Sequence, residues 1–288
     1  MESPLVVGVD GSESSLQAVD WATDEAAARG APLRLLQASL WEQYEGRRPH
    51  VFAGRPAEKV MAEHIVASCA ERVRLRNPDV KVSGEVVPDD AVTALLREGR
   101  EAFALVTGSL GRGGLAGRLL GSVGLAVAAR AACPVIVVRG GERNRTGVFG
   151  RVVLGVDEQN ESAAAIRFAF AEAEVRGCPL HAVRAWRCPV FESEDGARDS
   201  AREHRERASM FLSKTLNRAM PDGHGVQVRR QAVEGPAHRI LLESTADADL
   251  LVVGAPRRNG RQGLQLGRVN HALLHHSACP VAVVPQTM

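Results

Sequence analysis

Two kinds of pattern alternate along the chain. A short, unbroken apolar run occurs at 5–9, and further strand-like segments at 33–38, 80–87, 104–107 and 134–138. Bounded by turn residues, such runs predict strands buried on both faces. Between them lie longer stretches with helical spacing. Leu16, Val19, Ala22 and Ala26 mark one face of a helix that Ser14 or Ser15 can cap and Gly30 can end. Segments 59–74, 90–101 and 121–130 predict three more, with Asp90 or its neighbour Asp89 as a cap. This strand–helix alternation predicts an α/β fold with an open, mostly parallel, doubly wound sheet of five strands. Ligands of such sheets sit at the carboxyl ends of the strands, where the strand order reverses. Asp10, Ala38 and Gly108 are expected along that edge.

The pattern is then written a second time. Leu5-Val6-Val7-Gly8-Val9-Asp10 returns as Val152-Val153-Leu154-Gly155-Val156-Asp157, and Ala132-Cys133-Pro134-Val135 returns as Ala278-Cys279-Pro280-Val281. Asp10 and Asp157 stand 147 positions apart, Cys133 and Cys279 146. So long a period means duplicated domains rather than a solenoid. The expected organisation is a first domain at 1–140, a Gly- and charge-rich linker at 141–150 and a second domain at 151–288. Each domain is expected to be Rossmann-like.

Composition narrows the function classes. The 36 basic residues nearly cancel the 34 acidic ones, so no general nucleic-acid electrostatics follow. No stretch approaches the apolar length of a membrane span, and the N-terminus has no secretory pattern. Five cysteines, four of them before proline (Cys133, Cys178, Cys188, Cys279), read as reduced structural thiols of a cytoplasmic protein.

The most informative chemistry lies after the fourth predicted strand. Gly108-Ser109-Leu110-Gly111 is followed nine residues later by Gly121-Ser122. Glycines let backbone approach an anion without a Cβ in the way, and a helix beginning at Ser122 offers N–H groups and a positive dipole end. Segment 110–141 holds Arg112, Arg118, Arg130 and Arg139 and no acid, so its field favours an anion. These features describe a phosphate cradle.

With Asp10 at the end of the first strand, the motif makes the chain resemble the tandem universal stress proteins, over nearly its whole length. Their ATP-binding members carry Gly-x2-Gly-x9-Gly-Ser/Thr after the fourth strand. The resemblance implies that Asp10 lies near ribose and adenine and that the Ala38 backbone meets the adenine edge. It implies that Thr107 and Gly108 pass the sugar and phosphates, and that Gly111 and Gly121 let the loop fold over the phosphate tail. Ser122 and the Val123 backbone contact phosphate oxygens, with Arg112 adding charge. Mg²⁺ is expected as an ion carried with the phosphates. The second copy departs from this pattern. Asp157, Gly254 and Gly267 are kept, but Arg257 replaces the second glycine and Arg268 the hydroxyl residue. A side chain at 257 crowds the loop, while four arginines (257, 258, 261, 268) still favour an anion.

Other signals carry less. Gly111-Arg112-Gly113-Gly114-Leu115-Ala116 fits a dinucleotide fingerprint only superficially, because it follows the fourth strand and no acid comes before Glu142. His271 and His275 share a helix face at metal-binding spacing, but no third ligand at fixed spacing accompanies them, so no metal site is assigned. Trp41 and Trp186 read as packing residues after the second strand of each half, and 197–207 as a solvated helix face. No residue is poised to activate water. The leading expectation is a cytoplasmic, ATP-binding stress-response protein acting as a nucleotide-dependent sensor, in which ATP orders segment 110–120 and alters a surface for a protein partner. The alternatives are a slow ATPase or nucleotide-transferring enzyme, and a scaffold that binds no nucleotide. Pseudo-twofold packing of the two domains through their fifth strands is expected, with a homodimer as a further expectation and no nucleic-acid or membrane partner.

Overall fold

The computed structural model describes residues 3–40, 57–111, 120–157, 163–187, 197–220, 225–256 and 266–286. The chain divides into two compact units, Met1–Val138 and Arg139–Met288.

In the first unit, β1 (Leu5–Gly8), β2 (Leu33–Ala38), β3 (Val82–Val87), β4 (Ala104–Gly108) and β5 (Val135–Val138) form a parallel sheet in the order β3-β2-β1-β4-β5. The order reverses between β1 and β4, so their carboxyl ends open a crevice. α1 (Glu13–Arg29), α2 (Ala57–Arg76), α3 (Ala91–Glu98) and α4 (Ser122–Ala128) join the strands. The apolar stripes explain the packing. Val19, Ala22 and Ala26 of α1 are fully buried, as are the strand residues Leu5, Val7, Leu33, Leu35, Leu105 and Ile136. On α2 the buried positions Ala62, Ile65, Cys69 and Val73 recur at three- and four-residue spacing. Bidentate pairs from Arg72 to Asp20 and Arg76 to Asp24 tie α2 to α1 at the surface, where such pairs contribute little stability.

The N-cap of α1 differs from the sequence expectation. Ser12, not Ser14 or Ser15, holds the cap position and accepts the Ser15 N–H. Ser14 is committed elsewhere. Its hydroxyl donates to the Leu110 carbonyl and accepts the Leu110 N–H at 3.2 Å. Asp90 caps α3 through the Thr93 N–H at 3.0 Å.

The second unit repeats the topology. β6 (Val152–Gly155), β7 (Leu180–Trp186), β8 (Val228–Glu234), β9 (Leu250–Pro256) and β10 (Val281–Gln286) pair in parallel in the order β10-β9-β6-β7-β8. They are joined by α6 (Ala163–Val175), α7 (Ala197–Ala219), α8 (Ala237–Ser244) and α9 (Arg268–His276). The charged stretch at 197–207 lies in α7 and is mostly exposed from 201 onward. A short helix, α5 (Glu142–Arg145), precedes this sheet in the region read as a linker, and it is fastened down. Asn144 is 7% exposed, and its Nδ2 donates to the carbonyls of Thr245, Ala246 and Ala248. The Asp249 carboxylate, also buried, accepts the N–H groups of Phe149 and Arg151.

Candidate functional site

The carboxyl ends of β1, β2 and β4, with α3 and the start of α4, enclose a cavity of about 370 Å³. Of the residues that the resemblance assigns to a nucleotide, Asp10, Ala38, Thr107, Gly108, Gly111, Gly121, Ser122 and Val123 all line it. Arg112 lies outside the described residues. One end is apolar, walled by Val9, Leu36, Ala38, Ala91 and Leu95. The other is polar, with Asp10 facing the two loop glycines.

Several contacts fix this polar end. Asp10 Oδ1 accepts the Ser12 N–H at 2.9 Å and the Ser12 hydroxyl at 2.6 Å. An Asx-type turn of this kind aims the carboxylate at the start of α1. The Ser14–Leu110 tie draws the β4–α4 loop onto the same helix end. Gly108 is required by that approach, since a Cβ there would stand 2.6 Å from the backbone carbonyl of Ser14. The Gly121 N–H donates to Ser109 at 2.8 Å, closing the loop on itself. Gly121 is the N-cap of α4 and brings no side-chain cap. The first-turn N–H groups of α4 therefore meet the cavity without an intrahelical acceptor.

The glycines are not equivalent. A Cβ on Gly111 would stand 3.1 Å from Asp10 Oδ2, whereas one on Gly121 would meet nothing among the described residues closer than the Gly111 nitrogen at 3.5 Å. Protein packing alone does not demand glycine at 121. The space it leaves open belongs to the cavity. Thr107 is 5% exposed, and its Oγ1 has no hydrogen-bond partner among the described residues.

The electrostatics correct one expectation. Arg130 follows the far end of α4 from Gly121. Arg139 belongs to the second unit, where it donates to the carbonyls of Leu274 and Ser277 at the end of α9. Burial lowers its guanidinium pKa below the ordinary value. Neither arginine is among the residues that line the first unit's cavity. Sequence reasoning also passed over Gln37 and Ser14. Gln37, 7% exposed in β2, lines the cavity and carries an unpartnered Oε1 among the described residues. A glutamine within an apolar run gives no periodic signal, and the Ser14 tie spans 96 positions.

In the second unit the equivalent crevice encloses about 320 Å³ and is lined by Asp157, Gly254 and Gly267, with Arg268 and Asn270. Arg257 lies outside the described residues. At the 146-residue offset Thr107 becomes Val253 and Gly124 becomes Asn270. The Asn270 Nδ2 donates to the Gly254 carbonyl at 2.9 Å, so this copy satisfies with its own side chain a carbonyl whose first-unit counterpart, Gly108, faces a glycine.

The remaining candidates separate clearly. The rings of His271 and His275 have centroids 4.3 Å apart, and no group of three or more His, Cys, Asp or Glu placed to hold a metal occurs among the described residues. Burial, then the neighbouring His271, His276 and Arg139, lowers the His275 pKa. Cys69, Cys133, Cys178 and Cys279 are free and buried, while Cys188 lies outside the described residues. Burial pushes Cys69 and Cys133 up to about 11 and Cys279 to about 12, which makes them poor nucleophiles. Trp186 ends β7 and is buried; Trp41 lies outside the described residues. No helix among the described residues is long and apolar enough to cross a membrane.

Comparison with known proteins agrees with the duplicated architecture. The universal stress protein Rv2005c of Mycobacterium tuberculosis is 32% identical over 301 residues, covering 98% of this chain and 97% of its own. A second from that organism, Rv1996, is 32% identical over 303 residues, covering 98% and 95%. The crystal structure of a universal stress protein from Archaeoglobus fulgidus shares the fold, with a TM-score of 0.61 at 17% identity, covering 99% of this chain and 98% of that one. The universal stress protein family itself is matched at residues 1–139 and again at 149–285. The chain therefore belongs to the universal stress protein family and carries that family's domain twice in tandem.

Proposed function

We propose that the first unit binds ATP and that the chain acts as a nucleotide-dependent sensor in a stress response. The observation that carries this reading is a Cβ-free cradle, Gly111 and Gly121, leading to the uncapped start of α4, with Asp10 beside Gly111, in a cavity that also has an apolar wall. The apolar side chains of Leu36, Ala38 and Leu95 in the cavity wall suit a purine. A carboxylate suits ribose hydroxyls, from which it accepts charge-assisted hydrogen bonds. The N–H groups of α4 and the Ser122 hydroxyl suit phosphate oxygens. The buried Thr107 hydroxyl supplies a further unmatched group at the sugar end. Mg²⁺ would travel on the phosphates with its water, as this ion commonly does, and on this reading Asp10 serves the sugar rather than a γ-phosphate. This arrangement favours binding over turnover.

A thermal melt tests the reading. ATP at a hundred times its dissociation constant stabilises a protein by about 2.7 kcal/mol, so a clear rise in the melting temperature is expected, with ATP or ADP recovered from the purified protein by mass spectrometry. Gly111→Arg puts a Cβ against Asp10 and a guanidinium beside its carboxylate, and is expected to erase most of the rise. A rise that survives this substitution removes the assignment of the site. Fast metal-dependent phosphate release would instead favour an enzyme.

A further inference from the structure

A second opening in the second unit lies toward the amino ends of its strands, away from the crevice. It is a cleft of about 280 Å³, lined by Arg151, His181, Gln231, Glu243 and Ser244 over a floor that includes Val183. Arg151 immediately precedes β6, His181 is the second residue of β7, and Glu243 and Ser244 end α8. The crevice uses the carboxyl ends of the strands and the start of α8 instead, and Val183 is the one lining residue common to both. His181 is in register with Arg229 of β8, so the two side chains leave the sheet on the same face. Neither guanidinium nor the imidazole takes part in a hydrogen bond or an ion pair among the described residues. Burial, then the charges of Arg151 and Arg229, lowers the His181 pKa, which places both arginines near the ring. The acid on the cleft, Glu243, is already engaged, since its Oε1 accepts the Arg239 Nε–H at 2.9 Å.

The first unit shows what this place holds when its charges are balanced. By strand and helix register, His181 stands where the first unit has Arg34, and Ser244 where it has Glu98. Arg34 Nη1 meets Glu98 Oε2 at 2.6 Å, an ion pair from strand to helix. In the second unit that pair has become a histidine and a serine. Glu85 has become Gln231, so two carboxylates are gone, while Pro4 and Ser83 have become Arg151 and Arg229. Arg97 has become Glu243, the acid that Arg239 holds. The exchange removes counter-charge, adds guanidiniums and shortens the side chains that would fill the space. Guanidinium forks match the geometry and charge of a tetrahedral oxyanion. The cleft is smaller than the ~300–1,000 Å³ usual for larger organic ligands.

We propose that this cleft binds a small, free oxyanion of the phosphate class, held by the Arg151 guanidinium, the His181 imidazole and the Gln231 amide, with Arg229 adding charge. The site belongs to the second unit alone and does not depend on the reading given for the first.

The ring signals of the nine histidines can be followed by NMR, and His181→Gln identifies the one that matters. Inorganic phosphate is the probe. The His181 signal is expected to shift saturably with phosphate and not with chloride at equal ionic strength. Its pKa is expected to rise with phosphate bound, because a neighbouring anion favours the imidazolium. Ser244→Glu, which restores the first unit's carboxylate, and Arg151→Gln are each expected to weaken the response by about tenfold, the cost of one charge-assisted contact. Both variants are expected to keep the full ATP-induced melting shift, which separates this test from that of the first unit. A His181 signal that ignores phosphate, follows chloride equally, or responds undiminished in both variants overturns the proposal. So does phosphate that moves the His238 ring, which lines the cavity beside Trp186, and leaves His181 unmoved.

Discussion

Gly108 and Gly121 share one motif but answer to different constraints. At Gly108 an added methyl would press on the Ser14 backbone at 2.6 Å, and backbone cannot swing aside. Gly108→Ala is therefore expected to destabilise the fold by about 1–3 kcal/mol, the usual range for overpacking. At Gly121, φ −64° and ψ 151° suit any residue, and the nearest contact is ordinary. Gly121→Ala is expected to change stability by less than about 1 kcal/mol while sharply reducing the melting shift caused by ATP. Paired melts with and without ATP check both, and a Gly121→Ala protein with a full shift would separate this glycine from ligand binding. The motif spacing announces both glycines in the sequence. It does not announce which one the protein needs for itself, because that depends on Ser14, far away along the chain.

The helices show the same division between what is legible and what is not. Strands β1 and β5 fall on their apolar runs, since a strand buried on both faces leaves an unbroken signature. The α1 cap falls at Ser12 because Ser14 is drawn away by the Leu110 loop, a tertiary demand that local spacing cannot carry. α5 hides in a segment rich in Gly and charge, and its one anchoring side chain, Asn144, reads like any loop polar residue. α3 forms part of the crevice wall. Its Leu95 would lie 3.1 Å from a Cβ on Gly8, and Ala91 and Leu95 both line the cavity. Its cap is Asp90, whose carboxylate accepts the Thr93 N–H and hydroxyl. Asp90→Ala is expected to cost about 1 kcal/mol, to raise hydrogen exchange in α3 first, and to weaken ATP binding only modestly. Exchange that rises evenly across the first unit would argue against a local role for the cap.

Across the molecule, buried and half-buried titratable groups set two limits on stability. The His181 and His275 pKa values are lowered, chiefly by burial, from the ordinary 6.5. Between the lowered value and 6.5 the unfolded chain binds more protons than the folded one, so their contribution is complete above pH 6.5 and is lost as pH falls. The thiols act in the opposite sense. Cys69 and Cys133 move from 9.0 to about 11 and Cys279 to about 12. The unfolded chain ionises them first, so their contribution is complete below pH 9 and falls away as pH rises toward 11 and 12. A melting temperature plotted against pH is expected to be highest between these limits and to decline on both sides. A thiol reagent at neutral pH is expected to react slowly with the four buried cysteines, Cys178 included, until the protein unfolds. A flat alkaline limb together with rapid labelling of all four would contradict their burial.

The moorings of Asn144 and of the Phe149 and Arg151 backbone bear on how the two halves are to be cut apart. A fragment started at 149, where the second family match begins, leaves behind Asn144, which donates to three carbonyls of the second half. A fragment started at Arg139 keeps it, together with the guanidinium that closes the end of α9. The severing point that respects the chemistry therefore lies upstream of the apparent tether, which is less a hinge between halves than the opening turn of the later one.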